Sequence, residues 1–407
     1  MGESPLVAEG NFLRRLEIYK EFSNAQDFYL IINYALLRRD VEHVVKILPE
    51  NSLIISDETI RIKNPKAKQT KAVKLLPGKY RIALSGFPIG NNILDLWSQI
   101  DFIKPNWMSY WAYQDKFLIR TLMPFKSPKG REIKIVTGTK NLGLLKEIIE
   151  PMHIRRLKSD VLPDLPPKIY ETREAEMEGE QLRVYVQMRD ELRAEIKGMK
   201  EEDVIVQANT ILAKFLRLSQ ICDGFLSGTA DAKPYWFEKN SKVELLDELL
   251  EEIISSGDSA VIWTRFVPST KLLLERYGKK YNATGFWGET PTEERTKRIR
   301  KFQEDSKCRV FCGQIQAGGL GVTLTKGSVA ILYNQCFLSA ASIDQAIDRL
   351  HRIGQSKTVV VISLQIKNSV DEHWQKIWLK KEKIAGEIFK GDEIKFRKKE
   401  DILELLK

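Results

Sequence analysis

The chain has 407 residues, a net charge of +10 and a pI near 9.2, with 43% hydrophobic and 29% charged residues. That length suffices for two or three domains with large cores, and the composition fits an ordinary soluble globular protein. It argues against a transmembrane chain, because no apolar run reaches the roughly 18–20 residues that span a bilayer. The opening M-G-E-S-P-L-V-A-E-G has neither the basic start nor the apolar stretch of a secretory signal.

In chain order, residues 28–34, F-Y-L-I-I-N-Y, form a short apolar run suited to a buried strand. Residues 52–56 form a second such run and Tyr80 to Leu84 a third, with the basic segment Arg61 to Leu76 between them. Strands alternating with helices in this way predict a parallel sheet. Residues 93–120 read as a helix and irregular segments rich in Trp and Tyr. Residues 163–168, P-D-L-P-P-K, read as a linker, because their three prolines cannot continue a helix. From Gly179 to Gln220 the chain is charged, amphipathic and helical, consistent with a packed helical hairpin.

Alternation returns after Lys242. Val243 to Ile254 predicts an amphipathic helix, and Ala260 to Trp263 a strand. Thr290 and Glu293 have the spacing of a capping box with Pro291 at the first helical position, so a helix is expected from there to Phe302. Val310 to Cys312, Val329 to Tyr333 and Val359 to Leu364 read as buried strands. From Asp371 the chain reads as lysine-rich helix.

The positive charge favours a polyanionic partner, nucleic acid first, or else marks merely a basic soluble protein. Cys222, Cys308, Cys312 and Cys336 form no C-x-x-C pair and have no histidine at metal-ligand spacing, which predicts reduced, partly buried thiols of a cytoplasmic protein.

Three motifs could carry chemistry. Ser52 to Glu58, S-L-I-I-S-D-E, end an apolar strand in two acids, and ligands bind at the carboxyl ends of strands in open α/β sheets. One acid there can hold Mg²⁺ while its neighbour orients water, although acids also end many strands without function. Gln316 to Thr325, Q-A-G-G-L-G-V-T-L-T, contain Gly318, Gly319 and Gly321, which allow a tight turn and close ligand approach. Gln345 to Gln355, Q-A-I-D-R-L-H-R-I-G-Q, place Arg349 and Arg352 three apart, as on one helix face. These arginines could pair with Asp344 and Asp348 as surface charge, or reach a phosphate, which a fixed cationic fork binds well.

In order along the chain, the acids, Ser85 to Asn92 (S-G-F-P-I-G-N-N), the glycine turn and Q-x-x-x-R-x-x-R-x-G-Q resemble superfamily 2 helicase-like ATPases of the Swi/Snf type. His153 to Val161, Leu165 to Lys168, Trp263 to Phe266, and Gly288 with T-P-T-E-E-R at Thr290 to Arg295 resemble the same branch. The likeness covers residues 25–390. It implies an α/β protein of two RecA-like lobes with parallel sheets, the first N-terminally truncated, with a helical insertion between them. The implied domains are a first lobe over 1–165, a linker and helical insertion over 166–240, a second lobe over 241–390 and a basic tail over 391–407.

The resemblance implies an ATP hydrolase that couples turnover to movement on duplex DNA, with ATP and Mg²⁺ as cofactors. Asp57 would bind Mg²⁺ and Glu58 activate water. Ser85 and Gly86 would couple nucleotide state to DNA. Gly319, Gly321 and Gln345 would serve the nucleotide, and Arg349 and Arg352 the transferring phosphate, with Arg352 as arginine finger. Lys63, Asn91, Arg155, Arg156 and Thr323 would contact DNA phosphates, so binding would be sequence-tolerant.

Against the family pattern, Ile60 stands where histidine is usual, Phe87 for threonine, Gly90 for glutamine, and Gln314-Ile315 for Ser-Thr. These changes bear on coupling more than on fold. The compact size is closer to bacterial or bacteriophage members than to large eukaryotic remodellers, with a cytoplasmic location. No G-x-x-x-x-G-K-[ST] occurs in the 407 residues. That loop cradles phosphates, so the isolated chain is expected to be inactive. It could be a non-catalytic nucleic-acid-binding fragment, or a split enzyme whose partner chain supplies the loop. Without the loop's own strand, Tyr80 to Leu84 should present an unpaired apolar edge.

Overall fold

The structure, a computed structural model, describes residues 5–24, 29–86, 88–89, 93–126, 132–156, 158–199, 207–227, 233–317, 321–374 and Leu403. The chain divides into two compact units at Ile154/Arg155. Among the described residues no helix is long and apolar enough to cross a membrane.

The first unit begins with β1 (Leu6–Val7), α1 (Phe12–Asn24), β2 (Leu30–Ile31) and α2 (Tyr34–Ile47), followed by β3 (Leu53–Ser56), α3 (Lys68–Lys74) and β4 (Tyr80–Ala83). Next come α4 (Leu94–Ile103), α5 (Tyr110–Phe117), the antiparallel pair β5 (Leu118–Lys126) and β6 (Glu132–Thr139), and α6 (Leu142–Ile149). β1 pairs with β2 and β3 with β4, both in parallel. The strand expected over 28–34 is two residues long. Asn33 ends it, because its side chain accepts the Leu36 N–H at 2.9 Å and caps α2.

In the β3–β4 ladder Ile54 and Ala83 pack inward, against a core that includes Tyr19, Val44, Ile62, Val73 and Phe102. The other face carries Leu53, Ile55, Tyr80 and Ile82, all about half exposed. No ladder partner lies on the second edge of β4 among the described residues.

The second unit opens with α7 (Lys158–Val161) and β7 (Lys168–Ala175), followed by α8 (Gly179–Gly198), α9 (Ala208–Cys222), and the short pair β8 (Phe225–Leu226) and β9 (Tyr235–Trp236). It continues through α10 (Ser241–Ser255), β10 (Ala260–Thr264), α11 (Val267–Lys280), β11 (Thr284–Phe286), α12 (Thr292–Glu304), β12 (Val310–Gln314), β13 (Val329–Leu332), α13 (Ala340–Ile347) and β14 (Val359–Ile366). Six strands form one wholly parallel sheet in the order β11-β12-β10-β13-β14-β7. Both faces are buried, as parallel sheets require. Val261, Trp263, Phe311, Ala330, Leu332 and Val361 enter one core, while Ala260, Ile262, Val310, Cys312, Ile331 and Ile362 enter the other. Gly313 is needed here, since a Cβ would meet the Trp263 ring at 2.6 Å.

Two differences from the sequence reading concern this unit. The region taken as linker and insertion from residue 166 belongs to it: β7 extends the sheet by pairing with all of β14. α8 and α9 pack as the expected hairpin, in a core shared with Phe266, Ile366 and Trp374. The capping box does not form. α12 starts at Thr292 after Pro291, and Thr290 Oγ1 instead accepts the Trp287 N–H at 3.1 Å. The lysine-rich stretch beyond Trp374 lies outside the described residues, apart from Leu403.

Candidate functional site

In the first unit the acids sit where β3 ends. Asp57 is exposed, and its Oδ1 accepts the Glu58 N–H at 2.9 Å. Glu58 is half-buried with φ at +49°, a left-handed conformation that costs a non-glycine residue about 1–3 kcal/mol. The turn is held from both sides. The Tyr34 hydroxyl donates to the Asp57 carbonyl and meets Ser56 Oγ at 2.6 Å, and burial raises the pKa of this phenol. The Thr59 N–H donates to the Leu84 carbonyl at 2.9 Å.

The acid pair therefore lies beside the end of β4, where Ser85 is half-buried and Gly86 exposed. A Cβ on Gly86 would meet nothing within 4 Å, which leaves that position open to a ligand. Lys63 is paired with Asp95 at 3.5 Å rather than extended into solvent. Asn91, Phe87 and Gly90 lie outside the described residues.

In the second unit the paired arginines are not on a helix. α13 ends at Ile347, so Arg349 and Arg352 belong to the turns that follow it. The expectation of one shared helix face is thereby corrected: the Asp348 N–H closes on the Asp344 carbonyl, then tighter bonds from Arg349 to Ala346 and Leu350 to Ile347 end the helix. Arg349 is 3% exposed, whereas Arg352 is half-buried and its Nε donates to the Asp348 carbonyl at 3.1 Å.

Many bonds hold this arginine loop. The Asp348 carboxylate takes Lys158 at 2.8 Å and Lys168 at 3.3 Å. Lys158 also donates to the His351 carbonyl at 3.1 Å. His351 Nε2 lies 2.7 Å from the Pro166 carbonyl, which can only accept, so this nitrogen carries the proton. Burial lowers the pKa of that imidazole.

Gln355 Nε2 donates to the carbonyls of Thr325, Gly327 and Leu350 at 3.1, 2.9 and 3.2 Å. The Leu324 N–H donates to the Arg349 carbonyl at 2.8 Å. The glycine-turn segment and the arginine loop are thus bonded side by side. Gly354 turns the chain back at φ +98°, a value that favours glycine. Gly321 and Thr323 are exposed next to this junction, and Gln345 is half-buried on α13. Gly318 and Gly319 lie outside the described residues. Arg155 and Arg156 are exposed at the start of the unit.

Lys158 and Lys168 were missed as supports of the arginine loop, because nothing local links them to it, and His351, inside the loop, was missed because its partner Pro166 lies far along the chain. A further polar row lies at the carboxyl ends of the strands. Gln314 accepts the Gly288 N–H at 3.0 Å and donates to the Arg265 carbonyl at 3.3 Å. Arg265 in turn donates to Gln316 Oε1 at 2.7 Å. Gln314, noted as a departure from the family pattern, is therefore a bridge between three strand ends. The four cysteines are free and buried.

The SNF2-related domain matches residues 13–224, and the helicase conserved C-terminal domain matches residues 241–354. An uncharacterized ATP-dependent helicase of Mycoplasma genitalium is 29% identical over 404 residues, 99% of this chain and 36% of that protein. An ISWI chromatin-remodeling complex ATPase of Saccharomyces cerevisiae is 27% identical, over 90% of this chain and 32% of that protein. A solved SWI2/SNF2 ATPase core of Sulfolobus solfataricus in complex with dsDNA is 30% identical, covering 88% of this chain and 72% of that one, with a TM-score of 0.45. The chain spans about a third of the length of the curated relatives it matches. The two curated relatives come from a bacterium and a yeast, and give no support to a bacteriophage-like origin.

Proposed function

Because this chain belongs to the SNF2-related family of ATP-dependent helicase-like proteins, we propose that it is the duplex-DNA translocating part of such a motor. The observation that carries this reading is the arginine loop bonded to the glycine-turn segment, with Arg352 half-buried at the junction. So many bonds around one short loop suit a group that must be positioned before phosphate arrives, and positioning is most of phosphoryl-transfer catalysis.

In this reading Asp57 holds Mg²⁺ and Glu58 orients water, while Arg352, with Arg349 behind it, meets the charge of the transferring phosphate of ATP. Gln345, Gly319 and Gly321 serve the nucleotide, and Ser85 and Gly86 relay its state. Arg155, Arg156, Thr323 and Asn91 meet DNA phosphates in a sequence-tolerant, salt-sensitive way. Lys63 keeps that role only by leaving Asp95. The domain roles follow the sequence reading, with the boundary moved to Ile154/Arg155. A cytoplasmic location fits the work.

No G-x-x-x-x-G-K-[ST] loop occurs in these 407 residues, so in this reading they bind duplex DNA without turning over ATP on their own. A second reading, a nucleic-acid-binding subunit completed by a partner chain, is favoured by the half-exposed Leu53, Ile55, Tyr80 and Ile82 on β3 and β4. The test is duplex binding by anisotropy together with Mg·ATP hydrolysis. Tight, salt-sensitive binding without hydrolysis is expected. Hydrolysis by the purified chain would refute the need for an external loop, and absence of duplex binding would refute the translocase reading.

A further inference from the structure

Two buried side chains join the acid turn to the Ser85–Pro88 segment. Thr59 is 1% exposed and Gln99, on α4, is 3% exposed. Thr59 Oγ1 donates to Gln99 Oε1 at 2.8 Å. The same amide donates from Nε2 to the Pro88 carbonyl at 2.6 Å and to the Asp95 carbonyl at 2.7 Å. The Thr59 backbone completes a ring of bonds through Leu84. Thr59 directly follows Glu58, and Pro88 lies two residues beyond Gly86. Ile60, standing where the resemblance leads one to expect histidine, offers no polar group for such a link.

We propose that Thr59 and Gln99 are positioning residues that mechanically couple the Asp57–Glu58 turn to the Ser85–Pro88 segment. This rests on the translocase reading, in which the first segment faces nucleotide and the second responds to DNA. The physical reason is the fixed polarity of the amide. Its oxygen must accept from Thr59 while its nitrogen donates to two carbonyls, so neither segment can shift without stranding a buried polar group on the other side. An apolar pair here would let the segments slide independently.

The test is amide hydrogen exchange of the 407-residue chain, with and without a short duplex DNA. The variants are Gln99→Leu, Thr59→Val and Thr59→Ser. In the free wild-type chain both segments are expected to be protected together, and either apolar variant should speed exchange in both by about tenfold or more, since each removes at least one buried bond. Duplex DNA should slow exchange at Ser85–Ile89 and, through the relay, at Asp57–Ile62. In Gln99→Leu and Thr59→Val the first response should persist and the second vanish, while Thr59→Ser keeps both. A merely structural role would not separate the two responses. If Gln99→Leu fails to fold, Thr59→Val, equal in volume, carries the test. Apolar variants that keep both responses overturn the relay alone. A wild-type chain that is blind to DNA at both segments overturns the translocase reading and the relay with it.

Discussion

Lys242→Met probes how the helical hairpin is held to the second sheet. The Lys242 ammonium, fully buried, lies 3.2 Å from Asp223 Oδ1 and 2.5 Å from Asp371 Oδ2. The Tyr333 ring is 5.3 Å away. Asp223 follows α9 and also accepts from Ser269 at 2.7 Å and from Asn334. Asp371 follows β14 and accepts the Ile366 N–H at 3.3 Å. One cation therefore ties α9, α10 and the segment after β14 together. Methionine fills the space without the charge and leaves two carboxylates buried.

Removing one partner of a buried pair costs about 3–5 kcal/mol. Donors that stay on both carboxylates keep the figure near the lower end, about 3 kcal/mol. At about 2–4 °C per kcal/mol for a unit of this size, the midpoint of the second unit should fall by about 6–12 °C. Calorimetry reads the shift, and amide exchange in α10 assigns it to that unit. Adding Asp371→Asn should recover part of the loss. A fall below about 2 °C, under 1 kcal/mol on the same scale, would refute the view that the ion cluster holds these segments together.

Duplex affinity should drop by at least about tenfold between low and moderate salt with little sequence preference, because phosphate contacts release counterions; anisotropy titrations at several salt concentrations measure this, and a flat response would count against phosphate binding. In an extended chain that carries the phosphate loop, Arg352→Ala should cut DNA-stimulated ATP turnover by about 10³-fold or more while duplex affinity survives; unchanged turnover would return Arg352 to surface charge. Burial raises the Asp223 carboxyl from 3.8 to about 6. Between those values the folded chain holds a proton that the unfolded chain has released, so this group's contribution to stability falls as pH rises through that window and is level above it. Asp223→Asn should remove that slope from a plot of midpoint against pH, and an unchanged slope would show that Asp223 titrates elsewhere.

The sequence by itself determined the elements whose pattern is local. The runs at Ala260, Val310, Val329 and Val359 are strands because near-continuous apolar stretches have no other way to be buried on both faces. Asp57, Glu58, the glycine turn and the paired arginines could be picked out as candidates because their residue types and order are themselves the signal. Tertiary structure decided what depends on residues far apart. β7 could not be recognised beside a proline-rich linker, since its pairing partner β14 lies at the other end of the unit. Lys242, at the start of a charged helix, reads as solvent-exposed until Asp223 and Asp371 surround it. Arg352 sits in a turn rather than on a helix because its neighbours Asp348 and His351 are held by Lys168 and Pro166, about 180 positions earlier. Thr59 and Gln99 are unremarkable singly, and only the packing of α4 against the acid turn makes them one hydrogen-bonded unit. Hydrophobic periodicity reports burial along the chain, whereas the partner of a buried polar group is chosen by the fold.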